Sequence, residues 1–106
     1  MPNETLKARA IETANEMLSG KIGAIEAARL LCPLLHQDST IVSQSDSNTI
    51  VGIDSETDHL PVGCVRKHWH PDYLPEKDRE IARCEDLYRE QVRAVCERIL
   101  VGTQRV

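Results

Sequence analysis

IVGIDSETDHLPVG, residues 50–63, is the stretch on which the reading of this chain turns. It holds Asp54, Glu56, Asp58 and His59 without a Lys or Arg. Helical patterning lies on both sides of it. Upstream the chain reads as a helical hairpin, and downstream mostly as one long helix. The stretch therefore reads as an irregular acidic joint.

Working back from the joint, residues 36–49 are nearly all Ser, Thr, Asn, Gln and Asp, with Ile41 and Val42 as the apolar exceptions. That composition predicts a polar surface loop. Before it, Ile22, Ile25, Ala28, Leu31 and Leu35, with further Ala and Leu between them, cover most of a helix over 22–35. Apolar on nearly every side, this helix should be the central one. Pro33 is expected to bend or finish it. Leu6, Ala10, Ala14, Met17 and Leu18 make one stripe of a helix over 4–19. Asn3 is placed to cap it, Glu4 suits its first turn, and Gly20 ends it. The short connection makes the two helices antiparallel neighbours.

Forward of the joint, Pro71 and Pro75 rule out a continuous element until Pro75 itself opens a helix, supported by Glu76 and Asp78. Trp69, in the turn before it, is expected to insert into the core. The last helix spans 75–100 on a stripe from Ile81 through Cys84, Leu87, Tyr88, Val92, Val95 and Cys96 to Ile99 and Leu100. Glu85 and Arg89 sit at i,i+4 spacing on its exposed side, and Gly102 closes it. Such a helix would be nearly 40 Å long, more than the hairpin covers. Its surplus apolar surface calls for a second copy or another partner, so a homodimer is expected. The fold class is all-α, a single domain over 1–106 built as a three- to four-helix bundle.

The 106 residues suffice for one modest core. The net charge is −4 and unevenly spread. Residues 1–49 contribute −2, residues 50–63 contribute −3, and residues 64–106 contribute +1. An acidic domain repels phosphate backbones unless the fold assembles a basic face from scattered residues, so nucleic acid is not an expected partner. No apolar run is long enough for a membrane span, and the N-terminus lacks a signal-peptide pattern. Cys32, Cys64, Cys84 and Cys96 form no C-x-x-C pair and read as reduced thiols, Cys84 and Cys96 lying in the core. The cytoplasm is the expected compartment.

Asp54, Glu56 and Asp58 alternate, so in an extended segment all three carboxylates would face one way and offer oxygens to Mg²⁺, Mn²⁺ or Ca²⁺. His59, His68 and His70 extend that metal-candidate set, with Cys64 beside them. The stretch is no EF-hand, having His59 and Val65 where Gly and Glu belong. His68, His70 and Asp72 follow an H-x-H-x-D order that resembles binuclear metallohydrolases, but their much larger α/β fold needs a longer chain. The preferred reading gives Asp54 and Asp58 to local capping, with Asp58 three residues after Ser55 in capping-box spacing. Glu56 is then the exposed, partner-facing group, and Asp54, Asp58 and His59 complete an acidic contact surface. No residue is assigned a catalytic role, since Cys64 with His68 comes with no phosphate-cradling or oxyanion loop. No cofactor is implied.

GIDSETDHLPVG, followed by VRKHW and LPEKDREIARCEDLYRE and preceded by KIGAIEAARLL, resembles a family of small bacterial proteins that form a domain of unknown function. The resemblance spans residues 20–100 and implies no catalytic residue or cofactor. Proteins of this size and acidity are similar in style to immunity proteins that neutralise a cognate toxin. The leading expectation is a non-enzymatic interaction protein with a protein partner, a toxin in the immunity form. The alternatives are a metal-binding enzyme with its site at 54–70 and a structural subunit that homodimerises.

Overall fold

The computed structural model describes residues 2–104, with side chains at 5–63 and 66–102. Among the described residues there are four α-helices and no strand: α1 (Pro2–Leu18), α2 (Ala24–Gln37), α3 (Gln44–Thr57) and α4 (Leu74–Gln104). Two 3₁₀ turns, Gly63–His68 and Pro71–Tyr73, lie between α3 and α4. The all-α bundle is as expected. The third helix, however, occupies residues expected to be loop and joint.

α2 touches each of the other helices and buries Ala24, Ile25, Ala27, Ala28, Leu31, Leu34 and Leu35. Its alanines face Ala10 and Ala14 of α1 in the same core, and small side chains let the backbones approach. α1 ends where expected: Gly20 takes φ +82°, and the Lys21 N–H donates to the Glu16 carbonyl at 2.9 Å. The chain then turns back, so α1 residues from Arg9 to Glu16 share one groove with Arg29 to Leu34 of α2. Pro33 does not finish α2, which continues to Gln37 with the proline on an exposed side. Asp38 ends it, its carboxylate accepting both the N–H and the hydroxyl of Thr40.

α3 corrects the polar loop over 36–49 and the irregular joint over 50–63. Ser43 caps it, its hydroxyl accepting the Asp46 N–H at 3.1 Å. Asp46, Ile50, Ile53 and Thr57 are buried at helical spacing, while the Ser, Gln and Asn side chains lie on the outer faces. Two polar members in a four-residue stripe hide the helical period. Asp46 is satisfied by Arg98 of α4 through two bonds, 2.6 and 2.7 Å.

α4 has 31 residues, which at 1.5 Å each is about 46 Å. That nearly matches the 49 Å long axis of the molecule. It passes through Gly102 rather than ending there. Its C-terminal half supplies Val92, Val95, Cys96 and Ile99 to the core. Burial pushes the Cys96 thiol up to about 11. Cys84, read as core, is only half-buried, because the N-terminal half of α4 overhangs the hairpin. The chain's own turn segment bonds to that overhang: Arg66 pairs with Asp78 at 2.6 Å, and His59 with Glu80 at 2.5 Å. No helix among the described residues is long and apolar enough to cross a membrane.

Candidate functional site

The chemistry expected of residues 54–70 depends on what α3 does to the three carboxylates. On a helix, Asp54 and Asp58 are one turn apart and share a face, whereas Glu56 is rotated about 200° from Asp54. The alternation that would align them in a strand separates them here. Glu56 reaches α4, where its carboxylate accepts the Tyr88 hydroxyl. Among the described residues, no three His, Cys, Asp or Glu side chains are grouped to hold a metal ion. The Cys64 side chain lies outside the described residues. His68 is exposed. His70 is occupied locally, its Nδ1 accepting the Asp72 N–H at 3.2 Å.

The capping reading is also corrected. Asp54 lies in the last turn of α3 and Asp58 is its C-terminal cap residue, so neither meets free N–H groups at a helix start. What caps this end is a cation from another helix. Arg29 of α2 donates to the Leu60 carbonyl at 2.8 Å and to the Thr57 carbonyl at 2.5 Å, and its Nε lies 3.8 Å from Asp54. A guanidinium suits the negative end of the α3 dipole. Asp54 thereby has its charge partly balanced. Burial first, and the charge of this carboxylate second, push the Cys32 thiol up. Asp58 remains exposed.

Arg29, Asp54, Asp58, His59, Leu60 and Trp69 line one open groove of about 430 Å³. Leu60 is its buried floor. Trp69 forms a wall and is half-buried rather than inserted in the core, with the Lys77 ammonium 5.9 Å from its ring centroid. Three of the expected contact residues thus meet here, Asp54, Asp58 and His59, and Glu56 does not. Arg29, on a helix that reads as apolar on nearly every side, gives no local signal of this role, since its target carbonyls lie about 30 residues away. Trp69 carries a signal, being the only Trp in the chain, but it stands at the groove rather than in the core.

An aromatic wall, an apolar floor and two carboxylates suit a side chain with an apolar stem and a cationic head. Set against protein-family models, curated proteins and solved structures, the chain finds no match.

Proposed function

We propose that the protein is a non-enzymatic interaction domain whose groove between α2, the end of α3 and Trp69 takes a basic segment of another protein. The observation that carries the reading is a half-buried Trp69 sharing a groove with Asp54 and the exposed Asp58. Half-buried Trp beside polar groups is a common anchor of protein interfaces, where a few residues carry most of the energy. A Lys or Arg of the partner lays its stem on Leu60 and Trp69 and its charge by Asp58. Among interaction proteins, a toxin-neutralising immunity protein fits the small size and acidic balance, and a basic toxin surface fits the groove.

Capture of partners from the source cell by wild type, D58K and W69A tests this. Wild type should enrich a defined protein, D58K should lose it while melting no lower than wild type, and partner binding should shift Trp69 emission. Equal capture by wild type and D58K sinks the groove as the contact. A second reading, pairing of two copies along α4, is favoured by Leu87, which is 64 % exposed on that helix. Sedimentation at micromolar concentration should then show a dimer that L87E converts to monomer. A wild-type monomer removes that reading.

A further inference from the structure

A basic cavity of about 370 Å³ lies where the α1–α2 turn meets the middle of α4. Lys21, Arg89 and Arg93 line it, and Glu85 is its one carboxylate. Glu85 is already engaged: its two oxygens accept the Ala24 N–H at 2.7 Å and the Ile25 N–H at 2.8 Å. It therefore answers the start of α2 rather than the three cations.

Those cations have little else to hold them. Lys21 is 3.5 Å from Glu16, and its side chain is 73 % exposed. Arg89 meets Asp86 at 3.2 Å in a pair that is open to solvent on both sides. Exposed pairs of this kind are worth little and exchange readily for a better anion. Arg93, one turn beyond Arg89, has no ionic partner among the described residues. In a chain of net charge −4, three cations gathered round one cavity form a local field opposite to that of the whole molecule.

We propose that this cavity binds the phosphate groups of a small phosphorylated ligand. Guanidinium forks match phosphate oxygens two at a time, and Lys adds a point charge. Glu85 is committed to the α2 backbone and the Glu16 and Asp86 pairs are solvent-exposed and weak, so a diphosphate-type group can draw on all three cations. The volume lies at the small end of ligand sites, which run roughly 300–1,000 Å³. That suits a small molecule and not a duplex. The site is independent of the Trp69 groove and would persist if that reading failed.

The test is a titration of the full chain with inorganic pyrophosphate at constant ionic strength, followed by amide NMR and calorimetry. Chloride, orthophosphate and a ten-nucleotide single strand are the comparison ligands. Saturable pyrophosphate binding with shifts confined to residues 20–24 and 85–93 is expected. R89Q and R93Q should each weaken it about tenfold, the scale of one charged hydrogen bond. R83Q removes the same charge from α4 outside the cavity and should leave affinity unchanged, with unchanged melting curves showing that all three variants fold. Orthophosphate should bind the same residues more weakly. Absence of saturation, or equal loss in R83Q, overturns the proposal, and so does tighter binding of the oligonucleotide than of pyrophosphate.

Discussion

Glu85 sends both carboxylate oxygens to backbone N–H groups that begin α2, some 60 residues earlier in the chain. Sequence spacing paired it with Arg89 on the same helix, but Arg89 meets Asp86 instead. An i,i+4 pair is worth a few tenths of a kcal/mol, and a cap on two bare N–H groups more. Glu85→Ala should therefore destabilise by about 1–2 kcal/mol. Gly23 leaves room for this contact, since a Cβ there would stand 2.7 Å from Glu85 Oε2. Gly23→Ala should displace the carboxylate, a flexible group, and lose part of the same cap. The two changes share one interaction, so urea melts of the double variant should fall short of the sum. Full additivity would separate Gly23 from the cap. Asp58 offers the opposite sign. A carboxylate at the negative end of α3 is unfavourable, so Asp58→Asn should raise stability by a few tenths of a kcal/mol. Asp54→Asn, which weakens the contact with Arg29, should lower it by under about 1 kcal/mol. A loss above that from D58N would restore a capping role to Asp58.

At the scale of elements, α1, α2 and most of α4 were legible because each is an apolar stripe at helical spacing. Their ends moved by a few residues, and α4 runs past Gly102. α3 was not legible, for a specific reason. Its buried face consists of Asp46, Ile50, Ile53 and Thr57, and Asp46 belongs inside only because Arg98, 52 residues away, reaches it. The local clue was Ser43 three residues before Asp46, the spacing of a cap. The groove was half legible for the same reason: its acids are contiguous in sequence, while Arg29 and Trp69 arrive from elsewhere. The Asp46–Arg98 pair is bidentate, with the Asp46 side chain only 10 % exposed. A double-mutant cycle of D46N and R98M should give a coupling of about 1–2 kcal/mol, above that of an exposed pair. A coupling near zero would mean that Ile50 and Ile53 alone dock α3.

Across the whole molecule, α4 is one rod with two roles. Its C-terminal half is core, and its N-terminal half holds the segment from Asp58 to Tyr73 largely by polar contacts. Leu60 and Pro61 are the fully buried side chains of that segment among the described residues, and both lie at its start. The other links to α4 are Arg66 with Asp78, Lys77 over Trp69, and His59 with Glu80. The Arg66 hydrogen bond holds the Asp78 carboxyl below its ordinary value, and the His59 hydrogen bond does the same for Glu80. A carboxyl whose folded value is depressed contributes stability above its unfolded value, about 4, and loses it as pH falls through the folded one. Acid should therefore loosen this segment before the core, because Val92, Val95 and Ile99 are held chiefly by apolar packing. Hydrogen exchange should show amides of 66–73 opening by local fluctuation at neutral pH, while those of 92–99 open only with global unfolding. Lowering the pH from 6 to 3 should reduce protection in the first group after correction for intrinsic exchange, and D78N should reproduce that reduction at pH 6. If both groups instead lose protection together at every pH, the segment and the core form one cooperative unit, and the wall that carries Trp69 is as rigid as the bundle behind it.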